Sequence, residues 1–246
     1  MKDYLYDGTF DGYLTAIFYA YTQKDTVGIY KENTYSPSLL STWQVIPCEA
    51  DKADRVYESI RSKLSPKTLD NLFKVYLSDA PNSETLGLNY LKLCYRYSDD
   101  INLAKNNEII HQVDTLCRRV GLEAHRFCGF VRFKEIAPMV FYAAIEPDHH
   151  ILPLIMGHFK KRFSDQHFII HDLKRQMAIL YDTHEILLRY LTIEESERLA
   201  KAQIKDPFEA LFKTYYEATT IEERAHSKRR YAHLPKRYEK HLVELS

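Results

Sequence analysis

The chain has 246 residues, of which 45% are hydrophobic and 28% charged, with only 7 glycines and 9 prolines. These are the proportions of a globular chain with a buried core, and they exclude collagenous and disordered classes. Lys+Arg and Asp+Glu both number 34, so the chain as a whole is no polycation. The four cysteines, Cys48, Cys94, Cys117 and Cys128, form no CxxC pair; this argues against a disulfide framework, an iron–sulfur site and a cysteine zinc site.

In chain order, "DYLYDGTFDGYLTAIFYAY" reads as a short strand, a glycine turn and a helix. Thr9 is its candidate N-cap, and Phe10, Leu14, Ile17, Phe18 and Tyr21 share one face at helical spacing. "STWQVIP" predicts a second short strand. From Asp51 to about His125 the period is helical. Val56, Ile60 and Leu64 mark one helix, and Ser65-Pro66, a cap followed by Pro at N1, opens the next. Leu86, Tyr90, Leu93 and Tyr97 mark a third. A fourth carries Ile109, Val113, Leu116, Cys117 and Val120, and Gly121 is its expected stop.

After Arg126 the period changes. "FCGFVRF" and "MVFYAAIE" alternate as strands and predict a hairpin across a connection containing Pro138. A helix over "LPLIMGHFKKRF" follows, then a second hairpin of "HFIIH" and "MAILYD" across "DLKRQ". Thr192–Glu195 has the form of a capping box, and Asp206-Pro207 opens a last helix with an aromatic face. The expectation is an α+β fold. Residues 1–125 form a mainly helical lobe with a short N-terminal strand. Residues 126–246 form a mostly antiparallel sheet built from a β-β-α-β-β unit, with C-terminal helices and a basic tail; the two lobes can equally be one integrated domain.

GxGxxG, GxxxxGK[ST], GxSxG, HExxH and the HxE…PCxxC pairing of zinc deaminases are all absent, which removes several common enzyme classes. What stands out is histidine: six of the eleven lie between His149 and His184. Glu146 closes a strand, and Asp148, His149 and His150 occupy the next turn. His158 is expected to point inward on the apolar face of the following helix. His167 and His171 are expected on one face of their strand, opposite Phe168 and Ile170. Glu146, Asp148, His149 and His158 are therefore the candidate acid–base residues, since imidazole titrates near neutrality. The plainer alternative is a turn, a hydrogen-bonded core histidine and solvent-facing imidazoles. No spacing here belongs to a known metal motif, so no cofactor is expected, and a metal at the histidine cluster is the less favoured reading.

Charge is unevenly placed. Residues 1–125 hold 14 Lys/Arg against 17 Asp/Glu, a formal −3, and residues 126–246 hold 20 against 17, a formal +3. Between Arg224 and His241 seven basic residues face Glu239 alone, interleaved with Tyr231 and Tyr238. Lys228, Arg229, Arg230, Lys236, Arg237 and Tyr238 suit phosphate contact and base stacking, and Arg126 and Arg132 extend the set. A solvated basic tail is the alternative. The N-terminus has no apolar h-region and no run approaches about 18 apolar residues, so a cytoplasmic protein with no membrane partner is expected.

Taken together, "YDGTFDGYLTAIF" (6–18), "HRFCGFVRFKE" (125–135), "IEPDHHILPLIMGHFKKRF" (145–163), "FIIHD" (168–172) and "PKRY" (235–238) resemble a bacterial family assigned to DNA metabolism without a known mechanism. Its members are typically encoded beside a radical-SAM protein of DNA modification or repair, and some relatives are fused to a uracil-DNA-glycosylase domain. The family pattern falls on Asp7, Gly8, Phe10, Asp11 and Gly12, on Arg126, Gly129, Phe130, Arg132 and Phe133, and on Glu146, Pro147, Asp148, His149, Pro153, His158, Phe159 and Arg162. It ends at Pro235, Lys236, Arg237 and Tyr238. The chain departs from it at His150, where the family tends to have Asn, at "HS" (226–227) and at Glu239. The resemblance implies a DNA repair or modification accessory protein that binds DNA and acts with a radical-SAM partner, and with uracil-DNA glycosylase as a further possible partner. An enzyme acting on DNA or a modified base, and a non-catalytic interaction module, are the alternatives.

Overall fold

The computed structural model describes residues 2–37 and 42–201. Packing divides the chain into two units, Met1–Gly121 and Leu122–Ser246.

The first unit starts from a parallel sheet. Strand β1 (Lys2–Tyr6) runs into helix α1 (Phe10–Gln23) through Gly8, whose φ of 88° no β-branched residue would accept. Thr9 caps α1 as the sequence predicts, its Oγ1 accepting from the Gly12 amide at 3.0 Å. Strand β2 (Thr26–Lys31), which the periodicity did not reveal, and strand β3 (Thr42–Val45) flank β1 in the order β2-β1-β3, both parallel to it. Helices α2 (Ala50–Lys63), α3 (Pro66–Leu77) and α4 (Ser83–Tyr97) follow, with Ser65 capping α3 ahead of its N1 proline. Tyr4, Tyr6 and Tyr13 pack together in the core around β1 and α1 with no exposure at all. Buried phenol groups need partners. Tyr6 donates to Glu84 Oε1 at 3.1 Å, Tyr13 to the Glu84 carbonyl at 2.6 Å, and Tyr4 to Gln23 Oε1 at 2.7 Å.

Helix α5 (Glu108–Phe130) corrects the expected stop at Gly121. An interior glycine costs a helix about 1 kcal/mol, and the apolar stripe continues past it: Val120, Ala124 and Phe127 are all buried. Burying one Phe side chain is worth about 1.5–3 kcal/mol, so the helix runs on. Residues 127–130, expected in a strand, are its last turn. The hairpin does form, but later: β4 (Lys134–Ala137) pairs antiparallel with β5 (Val140–Ile145), and Met139 takes the left-handed conformation in the turn.

Helix α6 (Leu152–Arg162) then carries the chain to β6 (His167–Asp172), which lies parallel to β5, with Val140 opposite His167 and Ile145 opposite Asp172. Strands β7 (Met177–Tyr181) and β8 (Ile186–Tyr190) add antiparallel, giving the order β4-β5-β6-β7-β8. The chain is α+β, but among the described residues three strand pairs are antiparallel and three parallel. The expectation of a mostly antiparallel sheet is therefore not met. A helical crossover returns the chain to the start of the next strand, whereas a tight turn reverses it, and alternating apolar residues look alike in both. The core of this unit is aromatic: Phe133, Phe159, Phe163 and Phe168 meet with ring centroids 5.0–6.3 Å apart. Helix α7 (Ile193–Lys201) starts with the expected capping box: Thr192 Oγ1 accepts from the Glu195 amide at 3.1 Å and Glu195 Oε2 from the Thr192 amide at 2.9 Å. The predicted helix at Asp206-Pro207 lies outside the described residues.

Candidate functional site

The loop Glu146–His150 leaves the carboxyl end of β5, next to the carboxyl end of its parallel neighbour β6. It is fixed from three sides. From α5, the buried Glu123 carboxylate accepts the Asp148 amide on Oε1 and the His149 amide on Oε2, both at 2.8 Å. From the turn after β6, the Arg175 guanidinium donates to the carbonyls of Pro147 (3.2 Å) and Asp148 (2.6 Å), and Lys174 Nζ donates to the Asp148 carbonyl at 2.9 Å. Within the loop, the Ile151 amide donates to the His149 carbonyl at 2.9 Å, leading into α6. An anion on the amides and cations on the carbonyls make charge-assisted bonds, about twice as strong as neutral ones.

Arg175 is itself held by Asp172, whose Oδ2 lies 2.6 Å from Nη1. Asp172 has no exposure. Burial pushes its carboxyl up, and Arg175 together with the Lys174 and Arg175 amides pulls it back only in part. Asp172 thus orders the turn that clamps the loop. Beside it in β6, His171 is fully buried, with Nδ1 3.0 Å from the Tyr142 hydroxyl and Nε2 3.1 Å from Ser196 Oγ on α7. Burial holds this imidazole below its ordinary value and pushes the Tyr142 phenol up to about 12. A base within reach of a hydroxyl and oriented by a third group is the outline of a nucleophilic site. Here, however, the imidazole is sealed from solvent, so no substrate reaches it. The trio ties α7 to β5 and β6.

Of the predicted acid–base set, Glu146 and His149 are half-buried in the loop, as is His150, and Asp148 is exposed. His158 does not point inward. It is exposed on the flank of α6, edge-on to Phe159 at 5.0 Å, because the buried stripe is Leu152, Ile155 and Phe159. Nor do His167 and His171 share an environment: the first is exposed at the strand's start, the second fully buried. Arg126 is half-buried on α5, one turn beyond Glu123, with no ion pair among the described residues. Arg132 closes the end of α5, donating to the Gly129 carbonyl at 2.6 Å. Lys228, Arg229, Arg230, Lys236, Arg237 and Tyr238 lie outside the described residues. Among the described residues no group of three or more His, Cys, Asp or Glu side chains is placed to hold a metal ion, and no helix is long and apolar enough to cross a membrane.

Sequence reasoning missed Glu123, Asp172 and Arg175. Glu123 carried one signal, a carboxylate flanked by the apolar Leu122 and Ala124 in a helix. Asp172 and Arg175 carried another, the Asx-turn spacing of Asp before a tight reversal.

Fold and site define an α+β protein with a polar loop clamped at the carboxyl ends of a parallel strand pair. Within that class, the chain belongs to the family described as a domain of unknown function, DUF4130, which matches it over residues 81–244 and so includes the whole loop and its clamps. No curated protein and no solved structure matches the chain.

Proposed function

We propose that this is a nucleic-acid-binding accessory protein of DNA repair or modification that acts with a radical-SAM enzyme, with uracil-DNA glycosylase as a further partner. The observation that carries the reading is the clamped loop. Ligands in folds with parallel strands gather at the carboxyl ends of those strands, and there Glu123, Lys174 and Arg175 hold Pro147, Asp148 and His149 in place before any ligand arrives. Arg126 and the outer basic turn of α6, Lys161 and Arg162, offer phosphate contacts on the same unit. The seven basic residues between Arg224 and His241 and the resemblance to a DNA-metabolism family support the same assignment. The test is oligonucleotide binding by anisotropy between about 50 and 200 mM salt. Affinity is expected to fall linearly on logarithmic axes, and the Lys228→Ala, Arg229→Ala, Arg230→Ala triple variant to lower that slope by about one per lost phosphate contact. A flat salt response, or no binding at low salt, overturns the proposal. Copurification with the radical-SAM protein tests the partnership.

The second reading is an enzyme acting on DNA or a modified base. It is favoured by the same loop, which presents a carboxylate and an imidazole on adjacent residues of a rigid backbone. His149→Ala with an unchanged melting curve is expected to abolish turnover under this reading. A variant that retains all activity rules it out.

A further inference from the structure

The first unit holds a cleft of about 480 Å³ between α3 and α5 that plays no part in the proposed function. Lys67 and Lys74, seven residues apart, stand on one face of α3; His111, Asp114, Thr115 and Arg118 stand on one face of α5. The helices meet at the floor, where Cys117 Sγ reaches the Asn71 carbonyl at 3.5 Å. Cys117 is buried and its thiol is pushed up to about 12, so it is a neutral floor and no nucleophile.

The charges of the walls do not cancel. Asp70 lies 3.7 Å from Lys67 and 2.8 Å from Lys74, one carboxylate between two ammonium groups. Asp114 is paired with Lys105. The side chains of Arg118 and His111 have no ion pair or hydrogen-bond partner among the described residues. Two positive charges are therefore left over, one shared by the α3 lysines and one on Arg118. Arg118 supplies a planar fork of donors suited to two oxygens of one group, and Thr115 adds a hydroxyl.

We propose that this cleft binds a phosphomonoester dianion. The two uncompensated charges match such a group, which carries −1.5 to −2 at neutral pH, and the volume lies within the ~300–1,000 Å³ of small-molecule sites. The dianion comes either from a free nucleoside monophosphate or from the 5′-phosphate of a DNA strand. A phosphodiester, with a single charge and two non-bridging oxygens in place of three, fits less well. The inference stands apart from the accessory-protein reading, because loss of this cleft leaves the basic residues beyond Arg224 untouched.

The experiment titrates the full chain with inorganic phosphate, with deoxyadenosine 5′-monophosphate, and with one short oligonucleotide bearing or lacking a 5′-phosphate. Binding is followed by calorimetry and by amide shifts at Thr115 and Arg118. Saturable binding weakened at least tenfold in both Arg118→Gln and Lys74→Gln, with melting temperature unchanged, is the expected result. If the mononucleotide binds and the 5′-phosphate adds nothing to the oligonucleotide, the source is free nucleotide; if the 5′-phosphate tightens the oligonucleotide in an Arg118-dependent way, it is the strand end. Absence of saturable binding to any of these probes, or binding indifferent to both substitutions, overturns the proposal. Salt-dependent oligonucleotide binding that survives in Arg118→Gln is the separate signal of the proposed nucleic-acid function.

Discussion

Glu123→Gln is the sharpest test of the clamped loop. The carboxylate accepts two amides, from Asp148 and His149, each at 2.8 Å, and it is buried at 8% exposure. Hydrogen bonds to a charged group contribute about 1.5–3 kcal/mol each. Glutamine keeps the shape and one acceptor, but its NH2 group faces the second amide, so one bond is lost and two donors oppose each other. The expected cost is about 1.5–3 kcal/mol for Glu123→Gln and about twice that for Glu123→Ala, which strands both amides. The cost is local before it is global, because the bonds hold a loop and not the sheet. Native-state hydrogen exchange is therefore the assay, with urea unfolding beside it. Exchange at the Asp148 and His149 amides should quicken about ten- to a hundredfold in Glu123→Gln, while amides of β6 and β7 keep their protection. Unchanged exchange at those two amides would show that Glu123 does not hold the loop, and the site would lose its foundation.

Three further outcomes are expected. His171 is buried neutral, with its folded value depressed, so the unfolded chain takes up its proton first; the stability this group contributes is complete above about pH 6.5 and is lost as pH falls below it. Melting temperatures across pH 5–8 check this, and His171→Gln should flatten the acid side of the curve. Phe159→Ala, at 2% exposure amid Phe133 and Phe163, should cost about 3–5 kcal/mol in urea unfolding. Gly12→Ala should push away the Asp7 carboxylate, which its Cβ would meet, and so loosen the bonds Asp7 accepts from the Thr9 amide (2.9 Å) and hydroxyl (2.7 Å); a lowered melting temperature together with faster exchange at the Thr9 amide measures it.

What could be read from the sequence follows the range of the interaction involved. The caps at Thr9, Ser65 and Thr192 are bonds across three residues, so the letters that make them stand together, and all three form. Helix α5 outruns its local pattern at Gly121 because the local signal there is a stop and the countervailing signal, burial of Phe127, is tertiary. Strand β2 has Gly28 inside it and earns its pairing from β1, which no local pattern announces. The parallel alignment of β5 and β6 is likewise a property of the crossover through α6. His171 shows the same limit within one strand: period 2 places it with His167 on one face, yet only His167 reaches solvent. At the centre of a five-stranded sheet both faces of β6 are covered, and Phe168, Ile170 and His171 are all buried.

This difference in range separates two kinds of residue at the clamped loop. Asp148 and His149 were legible because they are the polar letters of an otherwise apolar junction. Glu123, Asp172 and Arg175, which fix where those letters stand, come from a helix about 25 residues earlier and a turn about 25 residues later, so that only the folded sheet joins them. A loop could have shown its imidazoles without any such support. This one spends a buried carboxylate on two amides and a buried ion pair on two carbonyls, although burying those charges carries a desolvation penalty that apolar packing would avoid. A turn between β5 and α6 can be made without either, and the nucleic-acid-binding function proposed above gives the clamps a purpose, the support of a positioned ligand contact.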